Sequence, residues 1–106
     1  MAKLLPIEEN GQTVGYSFDC PGCRAKHDVH IRPHKNSIGA SWDFNGNPEK
    51  PTFSPSIRNR VSFNRESGKP DYVCHLFVTN GEIRFLSDCT HSLAGLAFPI
   101  PEVEYA

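Results

Sequence analysis

Cys20-Pro21-Gly22-Cys23 sets two thiols either side of a Pro-Gly turn, the spacing at which two thiolates grip one metal ion. Pro21 shapes the turn, and Gly22 admits backbone angles that other residues avoid. Cys74 and Cys89 complete a four-thiolate set, which is closed and therefore structural, with zinc as the expected ion. Histidines leave the ligand set open: His27 follows Cys23, His75 adjoins Cys74, His91 follows Cys89, and each is an alternative to a cysteine. Two blander readings compete. Cysteine packs well as a small hydrophobe, but a Pro-Gly knuckle is poor core material. A thioredoxin-like redox pair needs a helix directly after the motif, and none is expected after Cys23.

A second constellation is hydrolytic. Ser56 sits in Phe53-Ser54-Pro55-Ser56-Ile57, at a proline break where a side chain is re-aimed. With His75 as base and Asp88 holding the imidazole tautomer, Ser56 would be the nucleophile of a serine-hydrolase triad. The competing readings are a turn or bulge serine and a surface His–Asp pair. A catalytic zinc is a third option, since three protein ligands and an open water position would serve hydrolysis directly.

The elements that must position these groups are strands. Asn80-Gly81 lies between the β-rich runs Tyr72–Thr79 and Glu82–Ser87, a strong hairpin signal. A two-residue loop pairs Thr79 with Glu82, Phe77 with Arg84, His75 with Leu86 and Cys74 with Ser87. Side chains alternate between faces, so Tyr72, Cys74, Leu76 and Val78 share the inner face with Ile83, Phe85, Ser87 and Cys89. His75 and Asp88 share the other face as diagonal neighbours. The hairpin therefore separates a thiol pair from a His–Asp pair.

Upstream, Leu4–Glu8 and Val14–Asp19 read as strands around the turn signal Asn10-Gly11, and His27–Ile31 leaves the knuckle as a third. Ser41–Phe44 is a short strand, and Thr52–Phe63 is an edge or bulged strand broken at Pro55. Residues 64–71 read as a polar loop. His91–Gly95 reads as one helical turn, and the tail from Pro99 reads as extended. The expected fold is mostly β, a small antiparallel sheet or partly open barrel with a zinc-knuckle hairpin and at most one short helix.

With 106 residues, nine prolines and eight glycines, the chain reads as one turn-rich domain whose modest core a metal staple would support. A net charge of −1 supplies no broad positive field, so general nucleic-acid binding is disfavoured. No stretch reaches transmembrane length and no secretory signal opens the chain, so a cytoplasmic location is expected. In that compartment four cysteines are metal ligands rather than disulfides.

Taken in order, Phe18-Asp19-Cys20-Pro21-Gly22-Cys23, His27, Trp42-Asp43-Phe44-Asn45-Gly46, Pro51-Thr52-Phe53-Ser54-Pro55-Ser56, Cys74-His75 and Phe85-Leu86-Ser87-Asp88-Cys89-Thr90-His91, with Leu93-Ala94-Gly95, make one pattern. It resembles a family of small phage and prophage proteins of unknown function, often labelled ammonia monooxygenase. That label does not suit a chain with neither membrane helices nor a copper-site pattern. The pattern is also similar, more distantly, to proteins of bacterial ubiquitin-like conjugation operons. Their role is taken to be that of a peptidase that removes or matures the ubiquitin-like protein, and Pro55-Ser56 and Cys74-His75 match its motifs. The resemblance implies a bacterial host cytoplasm and a protein partner or protein substrate. Two functions are expected from it: a phage-encoded structural-zinc module that binds a protein partner, or a zinc-stabilised serine peptidase acting on ubiquitin-like conjugates through Ser56, His75 and Asp88.

Overall fold

Two Asn-Gly pairs organise the chain. Asn10 and Gly11 have φ of 51° and 77°, and Asn80 and Gly81 have 49° and 80°. Positive φ at both central residues is the type I′ geometry whose twist matches that of paired strands. Each pair closes a hairpin with two loop residues, setting Glu9 opposite Gln12 and Thr79 opposite Glu82.

The computed structural model describes residues 3–62, 65–68 and 71–102. Strands β1 (Leu5–Glu9), β2 (Gln12–Cys20) and β3 (Ala25–His30) form one antiparallel sheet in that order. A second antiparallel sheet takes β4 (Asp43–Phe44), β5 (Phe53–Val61), β6 (Tyr72–Thr79), β7 (Glu82–Phe85) and β8 (Ala97–Pro99), again in chain order. The expected mostly-β architecture is present as two sheets and not as a closed barrel. A single 3-10 turn, Arg65–Ser67, is the one helical element among the described residues.

The sheets share one core. Phe18, Cys20 and Val29 from the first meet Phe53, Ile57, Cys74, Leu76, Val78, Ile83 and Phe85 from the second. Phe18, Phe53 and Phe85 are almost wholly buried, each contributing about 1.5–3 kcal/mol by leaving water. Rings cross the gap in sequence: Tyr16–Phe44 at 5.0 Å, Phe44–Phe53 at 5.2 Å and Phe18–Phe53 at 6.4 Å. Trp42 couples the sheets through its backbone, which donates to His30 C=O (2.9 Å) and accepts from Arg32 N–H (3.0 Å). Those bonds occupy Trp42 in a parallel bridge to Ile31, so the expected strand 41–44 shrinks to Asp43–Phe44.

Around β6 the alternation follows the pattern set by its residues, with Cys74, Leu76 and Val78 buried and Phe77 and Thr79 exposed. The partner strand is shorter than the pattern implies. β7 ends at Phe85, because the chain turns at Ser87–Asp88 instead of running on to Ser87, so Cys74 does not face Ser87. At 91–95 two successive turns, Ala94 N–H to His91 C=O (3.4 Å) and Leu96 N–H to Leu93 C=O (3.1 Å), replace the expected helical turn. The last strand starts at Ala97 on the edge beside β7. Residue 63 at the end of the expected strand 52–63, residues 64, 69 and 70 of the expected polar loop, and residues 103–106 of the expected tail lie outside the described residues.

Gly15 pairs with His30 at one end of the β2–β3 ladder. A Cβ there would meet Val29 O at 2.2 Å, and both neighbours of that contact are backbone. Gly15→Ala is expected to destabilise the domain by about 1–3 kcal/mol through forced strand separation. A denaturant midpoint equal to that of the parent would refute this.

Candidate active site and metal centre

Pro55 has no N–H to give a ladder, and β5 accommodates it with a bulge. Phe53 pairs with Val78 and Ile57 with Leu76, so four steps on β5 match two on β6. Ser54, Pro55 and Ser56 occupy the excess between two inward-facing residues. β4 reaches only Phe53 and Ser54, so no ladder bond at Pro55 is lost. Within the bulge, Ser56 Oγ lies 2.9 Å from His75 Nε2. Trp42 Nε1–H donates to the Ser56 carbonyl at 3.2 Å, holding the bulge from the other side.

Asp88 reaches the same imidazole from the opposite flank. Its Oδ2 and Oδ1 lie 3.1 and 3.3 Å from His75 Nδ1. It arrives from a turn and not from a ladder position. Cys89 N–H bonds Leu86 C=O at 3.2 Å, and pairing with β6 resumes where Thr90 N–H meets Val73 C=O at 2.9 Å. Between Leu86 and Thr90 this segment takes four steps while β6 takes two, from His75 to Val73. Ser56, His75 and Asp88 are thus in hydrogen-bond sequence, with both ring nitrogens of His75 engaged. A cavity of about 380 Å³ lined by Phe77, Thr79, Asn80, Glu82 and Arg84 opens farther along the same hairpin.

On the inner face the thiols converge on a different fourth partner. Cys20, Cys23, His27 and Cys74 present ligand atoms all within 4.8 Å of one another. Cys20 Sγ and Cys74 Sγ are 3.9 Å apart, and His27 Nε2 lies 3.5 Å from Cys23 Sγ and 3.6 Å from Cys74 Sγ. Three soft sulfurs and one imidazole, mostly buried, are the donor set of a closed tetrahedral zinc site, so the residues fit that ion. Cys89 falls outside this group and clusters with Cys74 and His91 instead. His27 occupies the place expected for Cys89, because β3 carries it inward beside Phe18 and Val29.

The electrostatics suit a cation. Cys20 is drawn down to about 3, first by the hydrogen bond from Cys74 and then by His27, against the opposing effect of burial. Cys74 is pushed far up by sharing its proton with Cys20 and by burial, and Cys23 is raised chiefly by burial. A metal binding here would displace the protons that the thiols hold. Tyr72 Oη donates to Cys23 Sγ at 2.8 Å, and its own ionisation is pushed up by burial and by that sulfur.

Neighbours that the sequence reading left out orient these ligands. Asn59 Nδ2 lies 2.6 Å from His27 Nδ1 and donates to it as placed. Turned over, the same amide would accept from Nδ1–H through its oxygen and leave the Nε2 lone pair for a metal, the arrangement metal-bound histidines use. The tautomer of His91 is set by the backbone. Its Nδ1 accepts Leu93 N–H at 3.2 Å, so Nε2 carries the proton that points to Cys74 Sγ 3.4 Å away. Gly22 serves space and not backbone angle: its φ is not in the left-handed region, and a Cβ there would lie 2.5 Å from the His91 ring. No signal in the sequence marks Asn59, whose partner lies in the other sheet.

The arrangement defines a β domain that joins a Ser–His–Asp relay to a Cys/His cluster on the reverse side of the same strand. A family model described as "Bacterial ubiquitination-like system serine protease (BubE)" matches residues 2–86, and the chain belongs to that family. The matched span includes Cys20, Cys23, His27, Ser56, Cys74 and His75 and ends just before Asp88. No curated protein matches the chain. No solved structure matches it either.

Asn59→Ala is expected to weaken zinc binding by about 10- to 100-fold, as loss of an orienting partner does. Chelator competition measures this, and an affinity unchanged within twofold would remove Asn59 from the centre.

Proposed function

We propose that this domain is a serine peptidase that cleaves ubiquitin-like protein conjugates, with zinc as a structural fastener. The observation that carries the reading is the unbroken chain Ser56 Oγ–His75 Nε2 (2.9 Å) and His75 Nδ1–Asp88 Oδ2 (3.1 Å). Membership of a family described by serine-protease activity in a ubiquitination-like system supports the substrate class. A protein-binding module would have no use for that relay, which weighs against the accessory-module reading.

In the acylation step His75 Nε2 takes the Ser56 proton as Oγ attacks the scissile carbonyl. Asp88 holds Nδ1–H and stabilises the imidazolium that forms. His75 then gives the proton to the departing amine, the C–N bond breaks, and an ester to Ser56 remains. Water, deprotonated by the same imidazole, attacks the ester and frees the carboxylate, returning the proton to Ser56. Cys20, Cys23, His27 and Cys74 would hold the zinc, which supplies a cross-link between the sheets. The cavity around Phe77, farther along the same hairpin, would receive a part of the protein substrate away from the scissile bond.

Two measurements test this. Ser56→Ala is expected to lower hydrolysis by about three orders of magnitude or more, leaving zinc content and melting temperature unchanged. Retention of activity in that variant, or failure of the parent to react with a fluorophosphonate, would exclude Ser56 as the nucleophile. Phe77→Ala is expected to raise KM for a protein conjugate several-fold while fluorophosphonate labelling continues at the parental rate. Equal KM would remove the cavity from substrate binding.

A further inference from the structure

In a regular antiparallel ladder His75 and Leu86 would exchange two hydrogen bonds. One is present, from Leu86 N–H to His75 C=O at 2.9 Å. The carbonyl needed for the return bond is taken by Cys89 N–H, which closes the turn carrying Asp88. His75 N–H donates to Cys89 Sγ instead, at 3.2 Å. The same sulfur lies 3.1 Å from the His75 carbonyl oxygen. An oxygen lone pair at that distance requires a proton on sulfur, so Cys89 donates there as a neutral thiol. A metal-bound cysteine is a thiolate with no proton to donate.

We propose that Cys89 is a positioning residue for His75 and Asp88 and not a metal ligand. Its thiol stands in for the ladder partner that the Leu86–Cys89 turn removes. It spans the N–H and C=O of one peptide residue, so it fixes the His75 backbone where the imidazole must meet Ser56 and Asp88 together. Cys89 is only 8% exposed, which limits the access of water to these two weak bonds. Serine presents one donor and two acceptor lone pairs on a similar stem and can make the same pair of contacts, whereas alanine can make neither. The catalytic half of this inference rests on the peptidase reading. The structural half does not.

The experiment compares Cys89→Ala and Cys89→Ser with the parent in zinc content, hydrogen exchange at the His75 amide, and steady-state hydrolysis of a protein conjugate. Both variants are expected to keep the parental zinc stoichiometry. Cys89→Ala should speed exchange at the His75 amide and lower kcat by about 10- to 100-fold with KM within about twofold, the signature of a misplaced base. Cys89→Ser should restore most of both. Zinc content below half that of the parent in either variant would make Cys89 a ligand and overturn the proposal. So would parental exchange and kcat in Cys89→Ala, or equal losses in the two variants. A parent that neither hydrolyses conjugates nor reacts with fluorophosphonate, combined with faster His75 exchange in Cys89→Ala, would leave the positioning intact and remove the peptidase reading alone.

Discussion

The two-residue period of a β-strand governs the whole arrangement. In β6 the side chain of Cys74 is wholly buried and that of its neighbour His75 reaches the opposite face. Adjacent residues thus serve separate environments, a sulfur-rich interior and a solvent-facing relay. A slip of one residue in the β6–β7 register would exchange them, putting an imidazole in the cluster and a thiol beside Ser56. The register is held by the Asn80-Gly81 turn at one end and by the buried row of Leu76, Val78, Ile83 and Phe85 along its length.

Alternation alone does not assemble the relay. Ser56 comes from β5 on one side of β6, and Asp88 comes from the turn that follows β7 on the other. Both flanks solve this in one way. β5 carries two extra residues between Phe53 and Ile57, and the segment after β7 carries two between Leu86 and Thr90. A regular strand between two bulges has its outward residue approached from both sides. The devices that stabilise the bulges are local: Trp42 Nε1–H on the Ser56 carbonyl, and Cys89 on the His75 backbone. Bulges characteristically re-aim side chains near active sites, and here they come as a pair.

Much of this was legible from residue types. The Asn-Gly signals set both hairpins, Pro55 signalled the bulge, and strand parity put His75 on the face away from Cys74, whereas Asp88 reaches that face from a turn and not from the expected ladder position. The ligand set was less legible. Cys89 shares Cys74's parity, but whether its sulfur turns to the cluster or to the His75 backbone depends on where β7 stops. That stop follows from a turn at Ser87–Asp88 whose residues carry no Asn-Gly or Pro-Gly signature. His27 alternates correctly for the interior, yet only the packing of the first sheet on the second decides that it meets Cys23 and Cys74. Asn59 was invisible for the same reason, since its contact with His27 spans the two sheets.

The cluster draws Cys20, Cys23 and His27 from the first sheet and Cys74 from the second. A metal held by all four would cross-link the sheets at one end, while the stacked rings of Phe18, Phe44 and Phe53 join them elsewhere. In a core this small, the binding energy of such a metal would become folding energy. The relay would inherit that dependence through one peptide unit. Cys74 cannot leave the cluster without moving the backbone of His75, and His75 touches Ser56 at one nitrogen and Asp88 at the other. A metal held there would not need to contact substrate to matter for the proposed reaction. It would act by fixing the inward half of the residue pair whose outward half is the proposed base.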